Sequence, residues 1–185
     1  KATLNAYLAS TPDTVTTPTL ADLIAFNAEH ADIELALFNQ DIFEQSEGME
    51  DLESDGYKEA VAFVQSATRE NGIDRLLAEH DVVALVAPSG PLAPRADPVN
   101  GDVWPDWAGA GYAAAIAGYP HLTVPMGTVR GIPIGLSFMG GKDQDAAILS
   151  LGYAYEQRTQ ARAEPRYYQT AEDLPEIAEA MRRRD

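Results

Sequence analysis

The sequence predicts an α/β fold in which helices cover a sheet that is incomplete within this chain. Three apolar runs have the composition of strands, Val82–Ala87, His121–Met126 and Ile132–Met139. Several other segments place apolar residues at helical spacing. The first run shows no alternation of apolar and polar residues, which is typical of a strand covered on both faces and usually paired in parallel. Because such a strand needs neighbours on each side, we expect the chain to be a piece of a larger α/β domain.

The first 81 residues are predicted to be mainly helical. Thr19 stands where an N-cap is expected, and Asp22 occupies the third helical position of a capping box. The helix that follows should run to about His30. A further helix is predicted over Tyr57–Glu70, and Asn71-Gly72 is its expected stop signal. Such helices could provide part of the cover of the sheet.

Residues 82–140 are predicted to contain the strands and a long pocket loop. The last two apolar runs are joined by so few residues, Gly127–Gly131, that they must pair antiparallel as a hairpin. A short helix of small residues should precede them and end at Gly118. Residues 141–185 are predicted to form a covering helix, Asp145–Arg158, and a tail.

The helix and hairpin carry two ordered glycine and proline runs. The first run reads A-G-x-P-x-x-T-x-P-x-G and is formed by Ala117, Gly118, Pro120, Thr123, Pro125 and Gly127. The second reads G-x-P-x-G-x-x-x-x-G and is formed by Gly131, Pro133, Gly135 and Gly140. Together they closely resemble the C-terminal part of the amidase signature family of serine hydrolases. A weaker resemblance extends from about Leu4 to Pro165, which is most of the chain.

The resemblance implies a C-terminal portion of the amidase signature fold, in which helices cover a mixed sheet. Members of the family hydrolyse amides with a serine nucleophile, a second serine on a cis peptide bond and a buried neutral lysine as the base. The motif with both serines lies in the N-terminal half of the family fold, as does the lysine. No Gly-Gly-Ser-Ser-Gly run occurs here. We therefore expect the catalytic residues to lie in N-terminal sequence that this chain lacks, and the chain alone to be inactive.

The implied reaction is hydrolysis of a carboxylic amide C–N bond by a Ser-Ser-Lys mechanism, with water attacking the acyl-enzyme and no cofactor. The expected partners are a small-molecule amide substrate and the missing N-terminal part of the same domain. The run Ala117–Gly127 looks most like that of simple amidases and peptide amidases. A rival within the family is the subunit of the tRNA-dependent glutamyl-tRNA amidotransferase. A rival of another class is a stand-alone domain that binds a small amide without hydrolysing it, or serves as a scaffold.

Composition excludes several other classes of function. The chain has 185 residues and a formal net charge of −16, and a field of this sign repels the phosphates of nucleic acids and anionic membranes. It contains no cysteine, which excludes disulfides, thiolate metal sites and a cysteine nucleophile. No apolar run is long enough to cross a bilayer. The compartment does not follow from the sequence, and a homodimer is left open.

A long proline-rich loop over residues 88–107 is the best candidate for part of a substrate pocket. Ser89 follows the carboxyl end of a predicted strand, where ligands gather in open α/β sheets. Trp104, Trp107 and Tyr112 combine large apolar bodies with one polar group each, which suits an organic ligand. In the family, the loop after this strand approaches the mouth of the substrate pocket. The alternative is that the tryptophans only hold the loop against the core.

No metal site and no catalytic residue are predicted in this chain. His30 and His80 fall near predicted helix ends, and His121 begins a strand. Their spacing matches no metal-ligand pattern. Ser137 lies within a predicted strand with no base in sequence reach. Ser89 lacks the strand–nucleophile–helix context of a nucleophile elbow.

Overall fold

The computed structural model describes residues 1–94, 96–97, 99–101, 103, 106–107, 109–170 and 173–181. The chain divides into two compact units, Lys1–Ala62 and Phe63–Asp185. The first unit is helical, and the second contains a three-stranded sheet. Within the described residues, no helix is long and apolar enough to cross a membrane.

The first unit consists of short helices. They are α1 (Ala2–Leu8), α2 (Leu20–Glu29), α3 (Ala31–Glu34), α4 (Asp41–Glu47) and the first half of α5 (Asp55–Thr68). The side chain of Leu20 is fully buried. Its backbone N–H donates to Asn5 Oδ1 over 2.8 Å, so α1 is joined to the start of α2.

The predicted capping box at the start of α2 is confirmed. The Asp22 N–H donates to Thr19 Oγ1 over 3.2 Å, and the Thr19 N–H donates to Asp22 Oδ2 over 3.1 Å. Thr19 has the extended backbone of an N-cap residue. Because two backbone donors find partners outside the helical ladder, α2 begins at the residue that the pattern indicates.

We expect Thr19→Ala to lower the free energy of unfolding by about 1 kcal/mol, because the Asp22 N–H loses its acceptor. Urea denaturation followed by far-ultraviolet circular dichroism measures the change. Thr19→Ser keeps a hydroxyl at this position and should stay within about 0.5 kcal/mol of the wild type. Equal losses in the two variants would show that the cap does not contribute to stability.

In the second unit, α5 continues through a π-helical turn (Arg69–Ile73) into α6 (Asp74–Glu79). The prediction that Asn71-Gly72 ends the helix is therefore wrong. A Cβ on Gly72 would lie 2.6 Å from the carbonyl oxygen of Ala67, five residues earlier. Because Gly72 has no Cβ, its backbone can approach the Ala67 carbonyl oxygen in the π turn. The helix therefore continues through Gly72 and does not end there.

The sheet contains β1 (Leu85–Pro88), β2 (His121–Val129) and β3 (Ile132–Met139) in the order β1-β3-β2. β3 pairs antiparallel with both neighbours, so the predicted hairpin of β2 and β3 is confirmed. Arg130 and Gly131 form its two-residue turn, with φ of +50° and +79°. Two positive φ angles are typical of a type I′ turn, whose twist matches that of paired strands.

A β-bulge interrupts β2 between Pro125 and Gly127. On the turn side of the bulge, Gly127 is opposite Ile134, and on the far side Pro125 is opposite Gly135. Met126 is the extra residue, and it shifts the register of the pair by one. The irregularity falls beside Pro125, which has no N–H to donate to a ladder.

β1 is an edge strand with one open face. The side chain of Val86 is 59% exposed, and that of Val83, just before the strand, is 66% exposed. The expected cover on both faces is not provided by the described residues, and the pairing with β3 is antiparallel and not parallel. An apolar run without alternation indicates a strand whose two faces both need cover. It does not determine whether the neighbouring strand runs parallel or antiparallel. A three-stranded sheet with such an edge is incomplete, as predicted.

Apolar clusters pack on the two faces of the sheet. α7 (Gly111–Ala117) and the π turn contribute to the first cluster, which comprises Ile73, Ala114, Ala117 and Met139. α8 (Asp145–Thr159) contributes to the second, which comprises Val124, Phe138 and Ile148. Neighbouring residues of β3 thus point to opposite helices, as the pleat of a strand requires. The last described helix is α9 (Pro175–Met181).

The end of α7 is tied to the helices before the sheet. Tyr119 Oη donates to Asp74 Oδ2 over 2.7 Å, and Arg69 Nε donates to the Ala117 carbonyl oxygen over 2.8 Å. The hydrogen bond to Asp74 raises the pKa of Tyr119 above its ordinary value. Gly118 ends α7 in the left-handed conformation, with φ of +71°, as predicted.

Candidate functional site

Ser89, the residue after β1, is held by backbone hydrogen bonds on two sides. Its N–H donates to the Gly135 carbonyl oxygen over 2.7 Å, and its own carbonyl oxygen accepts from the Ala110 N–H over 3.1 Å. These bonds fix Ser89 between β3 and the residues that lead into α7. The half-buried side chain therefore has a defined position at the carboxyl end of β1.

Two glycines permit this close packing. A Cβ on Gly109 would lie 2.5 Å from the Ser89 carbonyl oxygen, and Gly109 has a φ of +108°. A Cβ on Gly135 would lie 2.7 Å from Ser89 Oγ and 2.6 Å from Thr123 Cγ2. A side chain at either position would displace Ser89 from its neighbours.

The Ser89 hydroxyl belongs to a chain of hydrogen bonds. His121 Nε2 lies 2.7 Å from Ser137 Oγ. Ser137 Oγ donates to Ser89 Oγ over 2.9 Å, and Ser89 Oγ donates to Thr123 Oγ1 over 3.2 Å. We call these residues the hydroxyl relay: His121, Ser137, Ser89 and Thr123. Ser137 is fully buried and Ser89 is half-buried, whereas His121 and Thr123 are exposed. The relay thus joins two exposed groups through two hydroxyls that are less accessible.

The register of the sheet brings these side chains together. Ser137 is opposite Thr123 on β2 and opposite Ala87 on β1, and His121 shares the face of Thr123 two residues earlier. If β2 kept the register that it has beside the turn, Val124 would stand opposite Ser137. Thr123 and His121 would then face the other side of the sheet. The hydrogen bonds of the relay can therefore form only because the bulge shifts the register of β2.

Ser137 has no base in sequence reach, but the hairpin brings His121 to it from 16 residues away. The positions of His121 and Ser137 on either side of a tight turn are the sequence signal that could have indicated their proximity in the hairpin. Pro125, which cannot donate to a ladder, indicates a strand end, an edge or a bulge at this place, but the sequence alone does not decide among the three. A Cβ on Gly111 would lie 2.9 Å from His121 Cε1, so the start of α7 packs directly against the imidazole.

The relay offers hydrogen-bond donors and acceptors whose directions are linked. Each hydroxyl carries one proton, so when Ser137 donates to Ser89, the ring nitrogen of His121 must donate to Ser137. Ser137 has 0% of its surface exposed and cannot reach a substrate carbon. The arrangement is thus suited to hydrogen bonding with a ligand at an exposed end of the relay.

The remaining predicted pocket residues lie around the start of α7. Trp107 is 41% exposed and precedes Gly109 by two residues in the chain. Tyr112 lies in the first turn of α7 and is 61% exposed. Trp104 lies outside the described residues. That these aromatic residues and Ser89 line one pocket stays a prediction.

A groove of about 400 Å³ borders the relay. Thr123 and Gly135 belong to its lining, and the Gly135 backbone touches Ser89. The rest of the lining comes from the hairpin and from residues 161–163. It is largely apolar, including Pro125 and Ile134, but it also contains the charged Arg162. A groove of this size with few polar groups is typical of a small organic ligand site.

The other histidines have local roles at helix ends. His30 and His80 are the C-cap residues of α2 and α6, in agreement with the sequence prediction. The His30 ring stacks on Phe26 with ring centroids 4.2 Å apart. Across the described parts of the chain, no group of three or more histidine and carboxylate side chains could hold a metal ion.

Comparison with known proteins gives a consistent set of relatives. No model of a known protein family matches the chain. A protein of Arabidopsis thaliana named "probable amidase" is 31% identical over 174 residues, which are 90% of this chain and 29% of that protein. A glutamyl-tRNA(Gln) amidotransferase subunit from Clostridium acetobutylicum is 33% identical over 108 residues, which are 57% of this chain and 22% of that protein.

Solved structures match over nearly the whole chain. The native peptide amidase from Stenotrophomonas maltophilia has a TM-score of 0.77 and 39% identity, over 92% of this chain and 33% of the peptide amidase. An amidase family protein from Bacillus anthracis has a TM-score of 0.72 and 26% identity, over 90% of this chain and 29% of that protein. The chain thus spans a third or less of the length of these relatives and matches their C-terminal part.

Proposed function

The chain belongs to the amidase signature family, and on this premise we propose that it is the C-terminal part of an amidase that hydrolyses carboxylic amide C–N bonds. The match to peptide amidase carries the proposal, because it extends over 92% of the chain at 39% identity. The family's glycine and proline run at Ala117–Gly127 covers the end of α7 and most of β2. The same hairpin carries three of the four relay residues.

We further propose that the catalytic serines and lysine lie in N-terminal sequence and that this chain alone does not turn over substrate. Burial of Ser137 supports this, since a nucleophile must reach the substrate carbon. The Ser89 hydroxyl is bonded to other hydroxyls and meets the imidazole through Ser137 alone. In this proposal the chain supplies one wall of the substrate pocket, with Ser89, Trp104, Trp107 and Tyr112 as its candidates.

The proposed substrate is a small uncharged amide, such as the amide of a short peptide. The groove beside the relay is largely apolar, and the guanidinium of Arg162 in its lining is paired with the Glu164 carboxylate. The relay itself contains hydroxyls and an imidazole but no carboxylate or ammonium. Such a surface favours a neutral acyl group with hydrogen-bonding atoms over a charged one. Hydrolysis needs water as its second reactant and requires no cofactor.

We propose the N-terminal part of the same domain as the partner that covers the open apolar surface. In the first unit, Ile33, Leu37 and Phe38 are 72%, 70% and 68% exposed. In the second unit, Val83 and Val86 are exposed beside the open edge of β1. Relatives about three times as long have the additional chain that such cover requires.

Ammonia release from peptide amides tests the proposal. The complete protein and the 185-residue chain are purified separately and assayed with a panel of neutral peptide amides, with glutamate dehydrogenase as the coupling enzyme. We expect release from the complete protein and none above background from the chain alone. Turnover by the chain alone would overturn the placement of the catalytic residues. Absence of turnover in both would favour a non-catalytic binding domain or scaffold.

The amidotransferase subunit remains a second candidate, because the Clostridium acetobutylicum protein is 33% identical over part of this chain. That match covers 57% of the chain, less than the 92% covered by peptide amidase. The charge of −16 also disfavours a surface that approaches tRNA. Hydrolysis of peptide amides without partner subunits would exclude this candidate, and a requirement for glutamyl-tRNA and partner subunits would favour it.

Trp107→Ala in the complete protein should raise KM for peptide amides by about threefold to tenfold, because an exposed aromatic wall of the pocket is lost. Steady-state kinetics on amides with small and large acyl groups measure the effect, which should grow with the size of the group. Tyr167→Ala is the control, because Tyr167 is an aromatic side chain that is 89% exposed outside the proposed pocket. Unchanged KM values across the panel would assign Trp107 to loop packing.

A further inference from the structure

The hydroxyl relay ends in a group that is free to bond a ligand. Ser89 donates to Thr123 Oγ1, so the proton of the Thr123 hydroxyl points away from Ser89. Thr123 is exposed and lines the groove beside the hairpin. A ligand acceptor in that groove could therefore receive the Thr123 proton.

The relay can also run in the opposite direction. If His121 Nε2 carries no proton, it accepts from Ser137, which then accepts from Ser89, which in turn accepts from Thr123. Thr123 Oγ1 is then left with a lone pair for a ligand donor. An amide substrate has both kinds of atom, a carbonyl oxygen that accepts and an N–H that donates. Thr123 has a free lone pair in either direction, so the tautomer of His121 decides whether Thr123 can also donate its proton to the carbonyl oxygen.

The distances identify Thr123 as the end at which a ligand competes. The two bonds around the buried Ser137 are 2.7 and 2.9 Å long, which is the ordinary range. The bond from Ser89 to Thr123 is 3.2 Å long and is the weakest of the three. Ser137 is buried and hydrogen-bonded on both sides, so water cannot compete for its hydroxyl. A change in the position of the His121 proton therefore changes the direction of the hydrogen bond between Ser137 and Ser89.

We propose that Thr123 hydrogen-bonds the amide group of the substrate, and that His121 and Ser137 are positioning residues that set whether the Thr123 proton is free to be donated to it. The proposal rests on the proposed function, and it adds the part of the substrate that is recognised and the groups that recognise it. His121 and Ser137 touch no substrate atom and act through Ser89 on Thr123.

The test is a double-mutant cycle in the complete protein with matched amide and ester substrates. Thr123→Val removes the hydroxyl at nearly constant shape and should lower kcat/KM for the amide by about tenfold, while Thr123→Ser should stay within about threefold of wild type. Ser137→Ala should produce a smaller loss. Because Ser137 acts through Thr123, the double variant should be no worse than Thr123→Val alone. His121→Gln, which keeps a donor near the Nε2 position, should recover activity relative to His121→Phe.

Control variants separate the relay from general effects of substitution. Ser150→Ala removes an exposed hydroxyl that bonds its own helix, and His80→Gln changes an exposed imidazole at a helix end. Both should leave kcat/KM unchanged. Additive losses for Thr123→Val and Ser137→Ala, or a Thr123→Val variant as active as wild type, would overturn the proposal. Because Thr123 is exposed, its variants should fold even where Ser137→Ala does not.

Imidazole nitrogen NMR distinguishes failure of the relay from failure of the proposed function. In the wild type, the ¹⁵N shifts of His121 should show one dominant tautomer, and Ser137→Ala should change the tautomer ratio by removing the bonded hydroxyl. The measurement needs no turnover. If the complete protein hydrolyses no amide but the ratio changes, the proposed function fails and the link from His121 to Ser137 stands. An unchanged ratio overturns the relay whether or not the protein is active.

Discussion

Replacing Gly109 by alanine should lower the free energy of unfolding by about 3 kcal/mol. The φ of +108° is strained for any residue with a side chain, and the new Cβ would lie 2.5 Å from the Ser89 carbonyl oxygen. This oxygen is a backbone atom that accepts from the Ala110 N–H, so it cannot rotate away as a side chain would. The residues before α7 must therefore move away from β1, and amide hydrolysis should fall with the displacement of Ser89.

Gly101→Ala is the matched control. Gly101 also has a positive φ, +85°, but a Cβ there would meet no heavy atom of the described residues within 4 Å. The Gly101→Ala variant should lose only the strain contribution to stability, about 1 kcal/mol. Its kcat/KM should fall less than that of Gly109→Ala, because Ser89 keeps its position. Guanidinium denaturation and steady-state kinetics on the complete protein compare the two variants. Equal effects would show that contact with Ser89 is not what requires glycine at position 109.

Replacing Ile148 by alanine should destabilise the protein by about 3 kcal/mol, since it removes a large side chain from a packed core. Ile148 is 2% exposed and packs with Val124 and Phe138 on the face of the sheet that α8 covers. The cavity would lie beneath the hairpin that carries Thr123, so the melting temperature and the KM for amides should both change.

Leu149→Ala gives the comparison within the same helix, because the neighbouring Leu149 is 60% exposed. In the 185-residue chain it should cost less than about 1 kcal/mol. Calorimetric melting of both variants tests the difference. A loss at position 149 as large as that at position 148 in this chain would contradict the assignment of the α8 core face.

Structural features that depend on residues close together along the chain can be predicted from the sequence. The capping box of α2 requires Thr19 and Asp22 three residues apart, and the end of α7 requires a glycine that accepts a positive φ. The hairpin follows from two apolar runs with a short connection. In each case the interacting groups lie close together along the chain, so their spacing determines the structure.

The π turn could not be predicted, because Asn71-Gly72 favours two different structures. A glycine after a helix usually provides the left-handed residue of a C-cap. Here the missing Cβ instead leaves room for the Ala67 carbonyl oxygen, and the chain continues into α6. Packing of Ile73 against Ala114 and Met139 favours the continued helix, and these contacts are distant in sequence.

The relay can be predicted only in part. Ser89 is identifiable by its place after β1, but its partners depend on pairing between strands far apart in sequence. The face occupied by His121 depends on the bulge at Met126, which apolar patterning does not reveal. Separated by 16 residues, His121 and Ser137 share no motif.

The open edge of β1 affects how the 185-residue chain should be handled in the laboratory. Backbone groups along this edge, next to the exposed Val83 and Val86, can pair with the same strand of a second molecule. Such self-association would increase with protein concentration and would make light scattering a necessary companion to any turnover measurement. A solubilising fusion partner, removed only after the proposed N-terminal part is supplied in trans, would keep the strand available for pairing with that part.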